Sequence, residues 1–112
     1  MKNGRKTILL VDDAMTIRKL ARAMLGADFD FLEAENGEQA HVVAKQSHPD
    51  LIVMDLNMPV KDGIDGLADL KRDPSTSRIP VIILTSETEP HKRERCLDLG
   101  CADFLRKPLD RT

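Results

Sequence analysis

The chain places carboxylates at the ends of its most apolar runs. "ILLV" leads straight into Asp12 and Asp13, and "LIVM" into Asp55, ahead of the turn residues of "LNMPVKDG". Aspartate is almost never fully buried without a partner, so either each run stops at the surface or something holds the charge. Two further apolar runs end on polar groups, "VIIL" on Thr85-Ser86 and "ADFLR" on Lys107-Pro108. If these ends share one edge of the molecule, the acids stand within several ångströms of one another. At ~5 Å and an effective dielectric near 20, each like-charge pair then costs about 3 kcal/mol. Such a group requires protons, a cation or the lysine. Lys107 neutralises one charge, and no His or Cys stands at any of these ends. Oxygen donors alone fit Mg²⁺, or Mn²⁺, and not zinc. A carboxylate nucleophile at Asp55, with positive charge beyond it, suits in-line phosphoryl transfer that leaves an aspartyl phosphate. Lys107 and the ion would each take a phosphoryl oxygen, and the Thr85 hydroxyl the third.

That convergence demands a particular architecture. Thr7–Val11, Leu51–Met54 and Val81–Leu84 are short apolar runs without alternation, the pattern of strands buried on both faces. Helical patterns separate them. Ile17, Leu20, Ala21, Met24 and Leu25 form one apolar stripe, and Gly37 to Gln46 carries Ala40, Val43 and Ala44 on one face after an Asn36-Gly37 turn. Ile64, Leu67, Ala68 and Leu70 make a third helix, stopped by Asp73-Pro74. A fourth runs from Glu89 to Leu99, with Pro90 in its first turn and Gly100 at its C-terminal end. Phe31–Ala34 and Ala102–Arg106 are weaker strands. Strands alternating with helices predict an open parallel sheet with helices on both faces. Ligands of such sheets bind outside the carboxyl ends of the strands, where Asp12, Asp13, Asp55, Thr85 and Lys107 all fall, with Glu33-Ala34-Glu35 nearer the sheet edge.

Composition narrows the field. A chain of 112 residues with 41% apolar and 32% charged residues has the make-up of one globular domain. Its net charge of −2 gives no electrostatic case for nucleic acid or an anionic membrane. No apolar run approaches the ~20 residues of a membrane span, and "MKNGRKT" lacks the apolar core of a signal peptide. Cys96 and Cys101, the two cysteines, point to a reducing compartment, the cytoplasm.

"ILLVDDAMTIRKLARAML", "LIVMDLNMPVKDG", "IPVIILTSE" and "GCADFLRKPLD", in this order and spacing, resemble the receiver domain of two-component response regulators, the chemotaxis regulators among them. The likeness spans nearly the whole chain. It implies a flavodoxin-like doubly wound sheet of five strands in the order 2-1-3-4-5. It also implies that Asp55 is the phosphoacceptor, charged from a phosphohistidine on a sensor histidine kinase or phosphotransfer protein. By the same likeness Asp13 ligates Mg²⁺ directly, Asp12 mostly through water and Asn57 through its backbone carbonyl. Lys107 pairs with the phosphoryl group, aimed by a cis peptide before Pro108. Thr85 and Phe104 form the switch pair, and Asn57 and Glu87 tune self-dephosphorylation. A downstream effector, protein or domain, would read the switch. The likeness further implies a domain that catalyses only its own phosphorylation and dephosphorylation and turns over no metabolite.

Plainer readings stand beside these. Asp13 alone could cap the first helix, and Met58-Pro59 and Asp62-Gly63 read as turn chemistry. Phe104 is open to a core role as well as the switch. Cys96 and Cys101 read as small buried hydrophobes, His41, His48 and His91 as surface residues, and "HKRER" (His91–Arg95) as a solvated helix face. A pseudo-receiver acting only as an interaction module would lack the acceptor, a metal acid or the lysine, and none is lacking. A haloacid dehalogenase-type phosphatase places its acids as Asp-x-Asp after the first strand, whereas here Asp12 and Asp13 are adjacent. One departure from the family concerns the end of the chain. It stops at "KPLDRT", where the family continues into a fifth helix that Asp110 or Thr112 would cap. The expectation is a single receiver domain over 1–112, cut before that helix, with one sheet face half uncovered. A homodimer could cover that face.

Overall fold

The structure, a computed structural model, describes residues 4–107. In chain order its elements are β1 (Lys6–Val11), α1 (Met15–Leu25), β2 (Phe29–Ala34), α2 (Gly37–Ser47), β3 (Leu51–Met54), α3 (Gly63–Arg72), β4 (Val81–Thr85), α4 (Pro90–Asp98) and β5 (Asp103–Arg106). The five strands form one sheet in the order β2-β1-β3-β4-β5, and every neighbouring pair is parallel. This is the flavodoxin-like arrangement expected from the sequence. The expected cis peptide before Pro108 and the caps Asp110 and Thr112 lie outside the described residues.

Strand parity divides the core. Leu9, Val11, Ile52, Met54, Val81 and Ile83 point to one face, where they join Ala40, Ala44, Leu67, Leu70 and Cys96 from α2, α3 and α4 in the larger cluster. Ile8 and Leu10 point to the other face and meet Ala21 of α1, with Phe29, Phe31, Leu51 and Val53 at the margin. The near-continuous apolar runs are what a sheet covered on both faces requires. On the larger side α2 and α3 approach closely: a Cβ on Gly66 would stand 3.0 Å from the Gly37 Cα, so only the bare glycine fits without displacement.

The helix starts have separate chemistry. Asn36 caps α2, its side chain accepting from Gln39 N at 2.9 Å, while Gln39 Oε1 accepts from Glu35 N at 2.9 Å. Asp62 caps α3 through Asp65 N at 2.9 Å, which gives Asp62-Gly63 more than a turn role. Asp13 does not cap α1. Ala14 occupies that position without a side-chain bond, and the Asp12 carboxylate instead accepts from Ala14 N at 2.9 Å.

Some expectations are corrected. The α1 stripe is only partly buried: Ala21 lies inside, but Leu20 is 46% exposed. The helix turns its Arg18–Ala21 side to β1 and β2, which leaves Leu20 beyond the contact. On that face Leu51, Val53 and Ile82 are half-buried. His41 is not a plain surface residue. It is half-buried and its Nε2 sits 2.8 Å from Asp73 Oδ2, tying α2 to the end of α3. Asp73 also accepts from Ser75 N at 2.9 Å and Ser75 Oγ at 2.8 Å, and these bonds hold its carboxyl well below the usual carboxylate range. His48 and His91 are exposed, and Cys96 and Cys101 are free, buried thiols.

Leu67 is fully buried in the larger cluster. The Leu67→Ala variant should lose about 3 kcal/mol of unfolding free energy. Urea denaturation should show that as a lower midpoint with an unchanged slope.

Candidate functional site

Three polar side chains reach the carboxyl edge of the sheet from backbone that still belongs to the ladder. Asp12 N donates to Ala34 O at 3.1 Å, Asp55 N to Val11 O at 2.9 Å and Lys107 N to Thr85 O at 2.9 Å. Each is therefore anchored to a neighbouring strand one residue past its own strand's end. Apolar side chains drive β1 and β3 inward, and the first residue beyond that core, Asp12 or Asp55, is the one left to face the edge.

The side chains meet there. Carboxylate oxygens of Asp12, Asp13 and Asp55 lie within 4.8 Å of one another. Asp12 and Asp55 are buried, while Asp13 is exposed. The Lys107 ammonium donates to Asp12 Oδ2 at 2.7 Å and to Asp55 Oδ2 at 3.1 Å. The other oxygens are occupied as well: Asp55 Oδ1 accepts from Leu56 N at 2.7 Å, and Asp12 Oδ1 from Ala14 N at 2.9 Å. Burial works against the charge on Lys107, but the Asp12 hydrogen bond and the Asp55 charge outweigh it, and the lysine pKa is raised. One ammonium stands against three carboxylates, which leaves a local excess of two negative charges. The donor set is oxygen only, matching a hard divalent cation such as Mg²⁺ or Mn²⁺.

The other residues singled out in the sequence lie on the segments after β3 and at or after the end of β4, and within β5. Thr85 is fully buried at the end of β4, and its Oγ1 accepts from Glu87 N at 3.2 Å. Asn57 is exposed and its Nδ2 lies 3.5 Å from Glu87 Oε1. Lys92 of α4 donates to the same Glu87 oxygen at 2.8 Å. That bond, with the Glu89 amide behind it, holds the Glu87 carboxyl down to about 2. Phe104 is half-buried: it packs in part against the larger core and in part walls a cavity of about 240 Å³ with Glu87, Pro90 and Arg106. Sequence reasoning missed Arg18, whose guanidinium is buried against the Asp12 carbonyl. The available signal was its position three residues before Ala21, on the inward side of α1.

A sequence model described as the response regulator receiver domain matches residues 8–112. The chain is 43% identical over 105 residues to the phosphate regulon transcriptional regulatory protein PhoB of Pseudomonas aeruginosa, covering 93% of this chain and 46% of that protein. It is 35% identical over 107 residues to the chemotaxis protein CheY of Halobacterium salinarum, covering 95% of this chain and 88% of CheY. The chain thus spans about half the length of PhoB and most of that CheY. Among solved structures, the phosphorylated cyanobacterial phytochrome response regulator RcpA matches with a TM-score of 0.86 at 31% identity, over 96% of this chain and 84% of that one. The Mn²⁺-bound form of response regulator Rcp1 matches with a TM-score of 0.84 at 30% identity, over 95% of this chain and 84% of that one.

Two outcomes follow from this geometry. A Cβ on Gly63 would stand 2.1 Å from the Asp55 carbonyl oxygen, so Gly63→Ala must displace the Asp55–Leu56 backbone. We expect a loss of roughly 3 kcal/mol or more in urea denaturation, together with weaker Mn²⁺ binding in calorimetry. For Glu87, the lowered pKa means its stabilising contribution is complete above the ordinary value of 4.5 and disappears as pH falls toward about 2. The stability gap between the native chain and Glu87→Gln, followed by denaturation from neutral to acid pH, should close through that window.

Proposed function

The chain belongs to the response regulator receiver domain family, and from that premise we propose that it is the phosphoacceptor switch of a two-component system. The observation that carries this reading is the Lys107 ammonium shared by Asp12 and Asp55 inside the acidic group. In the proposed step Asp55 attacks the phosphorus of a phosphohistidine on a sensor kinase or phosphotransfer protein. A P–O bond forms as the P–N bond breaks, and the electron pair leaves with the imidazole nitrogen, which takes up a proton. Lys107 turns from the carboxylates to a phosphoryl oxygen, and Thr85 donates its hydroxyl hydrogen to another. Phe104 moves with Thr85. Mg²⁺ held by Asp12, Asp13, Asp55 and the Asn57 carbonyl would supply the charge neutralisation that phosphoryl transfer needs. Hydrolysis of the acyl phosphate resets Asp55, and in this proposal Asn57 and Glu87 tune its rate.

On this reading the protein is a signalling module and not a metabolic enzyme. Its upstream partner is a kinase or phosphotransfer protein, its downstream partner an effector that reads the switched surface, and it makes no direct contact with nucleic acid. A second copy seated on the half-buried Leu51, Val53 and Ile82 face is a further proposed partner. The free thiols of Cys96 and Cys101 fit a cytoplasmic setting. Within the described residues, no helix is long and apolar enough to cross a membrane.

Incubation with Mg²⁺ and acetyl phosphate should give an acid-stable, base-labile adduct of one phosphoryl group, read by intact-mass spectrometry. Asp55→Asn should abolish it, and Asp13→Ala should abolish it by loss of the metal. Labelling of Asp55→Asn at native stoichiometry sinks the proposal. No adduct on the native chain favours a bare interaction module, and sustained turnover of varied phosphate esters favours a phosphatase.

A further inference from the structure

One buried charge beside the acidic edge is left without a role by this chemistry. The Arg18 side chain is 10% exposed, and a guanidinium so placed is unfavourable unless its donors are filled. Its Nη1 donates to the Asp12 carbonyl oxygen at 2.5 Å and its Nε to Glu33 Oε1 at 2.7 Å. Glu33 lies on β2 and also accepts from Arg22 Nη1 at 3.3 Å. Arg18 thereby links α1, the edge strand β2 and the turn that carries both acids.

That turn is held on either side of one peptide. Asp12 N is fixed to Ala34 O, and Ala14 N to the Asp12 carboxylate. The peptide between Asp12 and Asp13 is held, among the described residues, by Arg18 on its carbonyl. Its plane sets the direction in which the exposed Asp13 side chain leaves the backbone. We propose that Arg18 is a positioning residue. By clamping the Asp12 carbonyl it fixes the geometry with which Asp12 and Asp13 accept a divalent cation. The inference takes the identity of the cation from the functional reading above.

Charge and geometry here act in opposite directions. A guanidinium beside a cation site repels the cation, so deleting its charge alone strengthens binding. Deleting the clamp loosens the acid pair and weakens binding, because groups that orient metal ligands typically contribute about 10- to 100-fold in affinity. A contribution to folding alone alters neither once the variant is folded. The sign of the change therefore separates the roles.

The test measures Mn²⁺ affinity on the full chain from the electron paramagnetic resonance signal of the free ion, with Mg²⁺ as competitor and circular dichroism to verify folding. Arg18→Met should bind Mn²⁺ about tenfold more weakly while retaining the native spectrum. Arg18→Lys keeps the charge without the planar fork and should lose less, about threefold. Unchanged or tighter binding by folded Arg18→Met overturns the inference. If Arg18→Met does not fold, Arg18→Lys decides: native affinity overturns the proposal and weaker binding supports it. Absence of Mn²⁺ and Mg²⁺ binding by the native chain sinks the functional reading and this inference together. Native binding that neither folded variant weakens sinks this inference alone.

Discussion

The acidic edge turns on one ammonium that lies between two buried carboxylates. Asp12 and Asp55 come from the adjacent strands β1 and β3, whereas Lys107 follows β5, which pairs with β4. Three strand spacings of about 4.8 Å separate β5 from β1, roughly 14 Å and more than a lysine side chain spans. The Lys107 side chain must therefore lie across the end of β4 while the acids reach toward it. The bond from Lys107 N to Thr85 O holds the base of that side chain beside β4. Parallel order, strand register and the apolar core all serve to bring a cation from one side of the sheet to acids near its middle.

The cost of gathering those acids falls on the core. Asp12 and Asp55 each follow a strand whose side chains are largely buried, so those strand ends cannot retreat from one another without exposing apolar surface. Repulsion that would scatter flexible acids here only raises the demand for a cation. The loop after Asp55 is held in the same way. Lys61 N donates to Pro59 O at 2.7 Å, closing a γ-turn in which Val60 takes a φ of 68°. For a β-branched residue that conformation is strained and persists only when its surroundings impose it. They do so from both sides: Gly37 N donates to Lys61 O, Gly63 N to Leu56 O, and the Lys61 ammonium pairs with Asp69. α2 and α3 thus reach the site through the backbone that follows Asp55.

Much of this was legible in the sequence, for an identifiable reason. A carboxylate at the end of an unalternating apolar run conflicts with burial, and Asp12 and Asp55 both showed that conflict. The strands and helices followed from period and punctuation, with Asn36-Gly37 at the start of α2 and Gly100 past α4, whereas Asp62 read only as a turn residue and its cap on α3 went unseen. What could not be read was orientation around a helix. Apolar spacing placed Leu20 inward, but the contact of α1 with β1 and β2 centres on Arg18 and Ala21. A charged residue on a helix reads as solvent-facing until a carbonyl and a carboxylate are found beside it. The same blindness hid the pairing of His41 with Asp73, since nothing in the chain marks two residues 32 positions apart as neighbours.

Arg18 and Lys107 divide the electrostatic work around Asp12. Lys107 takes the carboxylate and Arg18 the carbonyl, so one residue is held at its side chain by β5 and at its backbone by α1. These cations differ in what a ligand can change. A lysine ammonium is a compact charge on a flexible stem, able to leave one oxygen for another. The Arg18 fork is fixed by Glu33 and has no comparable freedom. A phosphoryl group on Asp55 would compete with the carboxylates for Lys107 and leave Arg18 where it is. On the proposed function, movement sent outward from Asp55 would start on the β4–β5 side, through Thr85 and the segment bonded to it, with the β1–β2 side anchored by Arg18 and Glu33.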